Sequence, residues 1–175
     1  DVPFDDDQIQ PASLDLRLGP KAYRVRASFL PGPKATVAER IEALKLHEID
    51  LENGALLEPG RSGGVYIVPL AEGMALPADV AAATNPKSST GRLDVFTRVI
   101  TDQAREFDTV APGYTGRLYL EISPRTFPVI VRKGSRLSQI RFRRGNVRLD
   151  DRALAALHER TPLVDGDLHL AQGVM

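Results

Sequence analysis

Eight consecutive residues, Asn85-Pro86-Lys87-Ser88-Ser89-Thr90-Gly91-Arg92, gather two cations, three hydroxyls and a glycine into one predicted turn ahead of a strand. A guanidinium fork, hydroxyl donors and amides exposed by a Gly-permitted bend are what a phosphate chain needs. The same residues also fit a solvated turn whose Ser and Thr side chains satisfy local backbone, and composition leaves the two readings level. A carboxylate, Glu121, stands in Leu118-Tyr119-Leu120-Glu121-Ile122. By alternation it shares a strand face with Tyr119, opposite Leu118, Leu120 and Ile122. It faces either solvent or a pocket, and the pattern alone favours solvent. A third candidate is the turn Ala111-Pro112-Gly113-Tyr114-Thr115-Gly116. Its Tyr114 has a ring to stack on a base or sugar, and packing over its own turn is at least as common.

Several chemistries are set aside by what the sequence lacks. It has no cysteine, which removes disulfides, thiol nucleophiles, thiolate metal sites and the zinc deaminase signature with its P-C-x-x-C half. His47, His158 and His169 are the three histidines, two of them in predicted helix or tail, which is poor support for a three-histidine zinc site. No Walker loop, G-x-G-x-x-G turn or G-x-S-x-G elbow occurs. Lys plus Arg and Asp plus Glu each total 23, so no overall field favours a nucleic acid, while a local basic pocket for a triphosphate is compatible with that balance. No apolar run approaches the roughly 20 residues of a membrane span. The expected setting is the cytoplasm.

The elements that position these residues are mostly short strands. With 175 residues, 42% hydrophobic and 26% charged, the chain has the material for one packed domain over 1–175. Leu14, Leu16 and Leu18 alternate with polar neighbours up to Gly19-Pro20, which reads as a half-buried strand, and 23–29 repeats the alternation. Thr36-Val37-Ala38-Glu39 is a capping box opening a short helix that ends near Leu46. Short strands are expected at 65–69, 74–77, 93–100, 116–122, 127–131 and 136–142, and a surface helix over 151–160 bounded by Pro162. Thirteen prolines and fourteen glycines spread along the chain fit many turns. The fold class read from pattern is mainly β, a barrel or sandwich with two short peripheral helices.

In order along the chain, four segments resemble the dCTP deaminase family. They are Gln10 to Gly19, Lys87-Ser88-Ser89-Thr90-Gly91-Arg92, Pro112 to Gly116 with Leu118 to Ile122, and Gly134 to Phe142. The resemblance implies the dUTPase-like distorted β-barrel, or β-clip, assembled as a homotrimer or a pseudo-trimer with active sites between subunits. It implies deamination of dCTP to dUTP and ammonia without zinc. It assigns Ser88 and Arg92 to the catalytic S-S-x-x-R motif, with Lys87 and Ser89 beside them on the substrate. Glu121 becomes the proton shuttle, and Thr101 falls where the family places a backbone carbonyl near the base, with Tyr114 at the nucleoside. Magnesium would ride on the triphosphate.

Departures from the family pattern are also visible. Val110 and Ala111 replace an Ile-Asp pair whose carboxylate holds the deoxyribose, and residues 102–108 add length where the base is read, with Asp102 or Asp108 as alternative replacements. The family's first helix and its closing tail have no match, which reads as the first half of a longer, duplicated polypeptide. Competing readings are a dUTPase, a bifunctional enzyme that continues to dUMP, a nucleotide-binding relative without catalysis, and a plain structural β domain. The dUTPase reading is weakened by Ala111, where its pattern wants Asp.

Overall fold

Alternating leucines near the N-terminus make the first core strand, and the charges between them are buried as well. The computed structural model describes residues 3–60, 64–145 and 149–166. They form two compact units, 1–143 and 144–175. A two-residue strand β1 (Ile9–Gln10) pairs with β2 (Ser13–Arg17). On β2, Leu16 is fully buried, yet Asp15 and Arg17 on the other face are also buried. The half-buried strand expected there is therefore covered on both sides. Arg17 is neutralised by Glu72 at 2.7 Å and Asp15 by the Lys87 ammonium, which is how charges enter an interior.

β3 (Lys21–Val25) stops four residues earlier than the alternation predicts. The capping box forms as expected: Glu39 N–H donates to Thr36 Oγ1 at 3.2 Å and Thr36 N–H donates to Glu39 Oε2 at 2.7 Å. It opens α1 (Val37–Leu44), and the chain leaves the helix directly into an unforeseen strand, β4 (Lys45–Asp50), paired with β3. After β5 (Ala55–Leu57), the two strands expected at 65–69 and 74–77 are one eleven-residue strand, β6 (Val65–Ala75). Pro69 survives inside it because its neighbour there is not a regular ladder: Leu70 to Glu72 bulge opposite Leu118 alone. The Pro69 carbonyl accepts from Gly19 N–H at 2.9 Å, so close that a Cβ at Gly19 would lie 2.5 Å from that oxygen.

The alanine-rich β7 (Val80–Pro86) is followed by α2 (Ser88–Arg92), a third helix where a plain turn was expected. Its backbone tightens through Thr90 N–H and Gly91 N–H donating to Lys87 O, and it packs against β8 (Val95–Thr101). β9 (Thr109–Val110), β10 (Thr115–Pro124), β11 (Val129–Val131) and β12 (Arg136–Arg144) complete the strands. The helix α3 (Asp151–Arg160) has the bounds read from sequence, is capped by Asp150 accepting from Ala153 N–H at 2.8 Å, and has no fully buried residue.

Two five-stranded sheets, ordered β1-β2-β12-β7-β9 and β4-β3-β6-β10-β8, and a two-stranded β11-β5 pair make the mainly β fold. The sheets are not closed into a continuous barrel. Leu16, Ala82 and Ile140 of the first sheet meet Val68, Leu118 and Leu120 of the second in the main core. The other face of the second sheet carries Val25, Ile67, Ile100 and Tyr119 beneath Val37 and Ile41 of α1. Glu121 lies on this second face.

Candidate functional site

The polar turn read as a phosphate site is the one-turn helix α2. Ser88, Ser89 and Arg92 are exposed, and among the described residues their side chains make no hydrogen bond or ion pair. Thr90 is turned inward instead, donating from Oγ1 to Leu137 O at 2.9 Å, and anchors the helix to β12. The Lys87 side chain leaves the other three and bonds to the buried Asp15. Arg92 and two hydroxyls are thus presented on a fixed support, free to meet an anion.

Thr101 and Tyr114 come together in a cleft of about 440 Å³, with Asp102, Glu106 and Ala111 also in its wall. The Tyr114 hydroxyl donates to Arg117 O at 2.6 Å and accepts from Asp102 N–H at 3.2 Å, so it packs over its own turn while its residue lines the cleft. Burial raises its pKa above the usual phenol value, and the fixed hydroxyl remains protonated. The turn needs its glycines. Gly113 has φ +73°, and a Cβ at Gly116 would stand 2.6 Å from the Tyr114 oxygen. Of the two carboxylates considered in place of Ala111, Asp102 lines the cleft and accepts from Val37 N–H at 2.7 Å through Oδ1, whereas Asp108 does not line it.

Glu121 sits in the middle of β10, between Ile67 of β6 and Arg98 of β8. It is 1% exposed, so the solvent-facing reading of the strand pattern does not hold. On the outer face Arg98 Nε and Nη2 both donate to Glu121 Oε1, at 3.1 and 2.7 Å, and Arg98 in turn meets Ser28 and Phe107. Glu121 Oε2 is buried and has no hydrogen-bond partner among the described residues. Along β10, Glu121 is three residues from Leu118, which pairs with Thr101. The carboxylate therefore stands roughly 10 Å of strand from the inner end of the cleft.

Neither Glu121 nor any residue of α2 lines the Thr101–Tyr114 cleft, so within one chain the candidate residues form three separate groups. Sequence reasoning missed Arg98, and it weighed Asp108 only as a replacement for the carboxylate absent at Ala111. Arg98 is the cross-strand partner of Glu121, a relation set by β8–β10 register rather than by any motif. Asp108, at φ 59°, accepts from Thr84 Oγ1 and Val99 N–H, both at 2.8 Å, through Oδ1. Burial holds its pKa above the ordinary aspartate value, the bonds from Val99 and Thr84 and the Arg98 charge oppose that rise, and the Glu121 charge adds to it.

A family model described as the 2′-deoxycytidine 5′-triphosphate deaminase (DCD) N-terminal domain matches residues 1–146. A "dCTP deaminase, dUMP-forming" of Beutenbergia cavernae is 32% identical over 143 residues, covering 80% of this chain and 68% of the relative. A "dCTP deaminase" of Haloarcula marismortui is 34% identical over 145 residues, covering 80% and 69%. The crystal structure of a 2′-deoxycytidine 5′-triphosphate deaminase from Agrobacterium tumefaciens superposes with a TM-score of 0.81 at 61% identity over 97% of this chain. The chain spans 50% of the length of that solved relative.

Proposed function

Because the chain belongs to the 2′-deoxycytidine 5′-triphosphate deaminase family, we propose that it takes part in hydrolytic deamination of dCTP to dUTP and ammonia. The observation that carries this reading is the buried carboxylate of Glu121, one oxygen held by Arg98 and the other without a partner. Hydrolysis at cytosine C4 needs a group that takes a proton from water and delivers one to the departing nitrogen. The water oxygen bonds to C4 and the C4–N bond breaks. Of the two water protons, one leaves with ammonia and one remains on ring N3. Glu121 relays the proton, and no zinc is required for the relay.

Ser88, Ser89 and Arg92 bind the triphosphate, and Lys87, held by Asp15, fixes the start of α2 beneath them. The Thr101–Tyr114 cleft takes the nucleoside, with the Thr101 backbone near the base. Magnesium enters with the nucleotide, whose phosphate oxygens supply its ligands. Such a metal neutralises phosphate charge when bound. The reaction belongs in the cytoplasm, where the nucleotide is. Among the described residues no helix is long and apolar enough to cross a membrane.

The separation of α2, cleft and carboxylate within one chain favours a trimeric or pseudo-trimeric assembly, in which donors from one copy meet the cleft of a neighbour. A second reading, in which the product is dUMP, is favoured by the likeness to the dUMP-forming dCTP deaminase of Beutenbergia cavernae. The test is ammonia release from dCTP with magnesium by the intact protein and its Glu121→Gln variant. Loss of at least about 10²-fold in the variant is expected. Undiminished release from Glu121→Gln would overturn the assignment, and chromatography of the product decides between dUTP and dUMP.

A further inference from the structure

From the geometry around Glu121 we infer that Arg98 is a positioning residue: it locks Oε1 of Glu121 so that Oε2 alone carries the proton. The inference rests on the proposed role of Glu121. A carboxylate turning about its last torsion, a soft two-fold rotor, presents either oxygen equally well. Here two guanidinium N–H groups converge on Oε1, at 3.1 and 2.7 Å, and none reaches Oε2. The carboxylate plane is thereby fixed, and its remaining oxygen is the one buried atom of the pair with no bond to lose when a proton arrives.

Arg98 is itself held by further contacts. Its Nη2 donates to Ser28 Oγ at 2.7 Å, and its guanidinium carbon lies 3.6 Å from the Phe107 ring centroid and 4.9 Å from that of Phe96. Lying against two rings while bonding to a carboxylate and a hydroxyl is a geometry of the flat guanidinium that the rounder lysine ammonium does not reproduce. Phe107 comes from the 102–108 segment that also walls the nucleoside cleft, so cleft and carboxylate share one support. A second unpartnered polar atom, Ser123 Oγ, is buried on the same face of β10 two residues along, which makes the surroundings of Oε2 suited to a polar guest rather than an apolar one.

The test compares Arg98→Lys, Arg98→Met, Glu121→Gln and the Arg98→Met/Glu121→Gln double variant of the intact protein, by ammonia release from dCTP and by thermal melting. Arg98→Met is expected to lower kcat about 10- to 100-fold with KM changed less than about 3-fold. Arg98→Lys is expected to recover part of that loss, since a lysine still gives Oε1 one charged donor. In the Glu121→Gln background Arg98→Met is expected to cost nothing further, because a residue that acts through Glu121 has nothing left to act on. If Arg98→Met does not fold, Arg98→Lys decides: a lower kcat at unchanged KM supports the inference, and a wild-type kcat overturns it. Wild-type kcat in Arg98→Met beside an inactive Glu121→Gln overturns the role of Arg98 and leaves the deaminase reading standing. A further loss in the double variant overturns it as well. Full activity in Glu121→Gln overturns the reading on which it rests.

Discussion

Asp108 shows how one side chain in this region ties stability to pH. Its pKa is raised in the folded protein from an ordinary value of 3.8, chiefly by burial. The native state then keeps a proton that the unfolded chain has already released, so stability falls as pH rises from about 3.8 to the raised native value and is level above it. Asparagine accepts the same two bonds from Thr84 and Val99 through its oxygen, tolerates φ 59°, and has no charge to bury. Asp108→Asn is therefore expected to melt with the wild type near pH 3 and above it at neutral pH. Melting curves from pH 3 to 8 check this, and a gap that narrows as pH rises would refute it. The carboxylate at Glu121 was legible in the sequence as an alternative to a solvent-facing residue. Its burial was not, because Arg98, which bonds to it from 23 positions away, is brought there by the β8–β10 register and backed by Ser28 and Phe107, which no local pattern joins.

At the scale of elements, the turn from Ala111 to Gly116 is specified by contact rather than by turn propensity alone. A methyl at Gly116 would meet the Tyr114 oxygen at 2.6 Å and its ring carbon at 2.9 Å. Gly116→Ala must displace the ring, and with it the bonds to Asp102 N–H and Arg117 O that close the cleft. The expected cost is about 1–3 kcal/mol in urea unfolding, with a higher KM for the nucleotide. In a Tyr114→Ala background the same substitution should cost less, since the clash is gone. Where local chemistry decides, the sequence was readable: the Thr36–Glu39 box, the helix over 151–160 and the opposite faces taken by Leu118, Leu120 and Ile122 and by Tyr119 all appear as read. Where long-range pairing decides, it was not. β4 follows α1 without a turn because β3 offers it a ladder, and β7 has three alanines in its seven residues, so its strand state comes from its neighbours β12 and β9. Pro69 argued for a break at a place where a three-against-one bulge absorbs it.

For the whole molecule, the decisive fact is that the exposed Ser88, Ser89 and Arg92, the Thr101–Tyr114 cleft and the buried Glu121 carboxylate do not converge within one chain. If the proposed site is completed by a second copy, Ser88 and Arg92 would come from one chain and Glu121 from its neighbour. Two inactive variants, Arg92→Ala and Glu121→Gln, would then repair each other. After mixing by mild denaturation and refolding, a site works when its donors come from a Glu121→Gln chain and its carboxylate from an Arg92→Ala chain. Random mixing of equal amounts gives that pairing at about a quarter of the sites. Ammonia release from dCTP is therefore expected to return to about a quarter of the wild-type value, while either variant refolded alone stays inactive. If the mixture is as inactive as its parts although sedimentation shows mixed oligomers, all three groups serve one site from a single chain. α2 would then have to move toward the β8–β10 face when nucleotide binds, and the Thr90 Oγ1 bond to Leu137 that anchors it would be the contact to break.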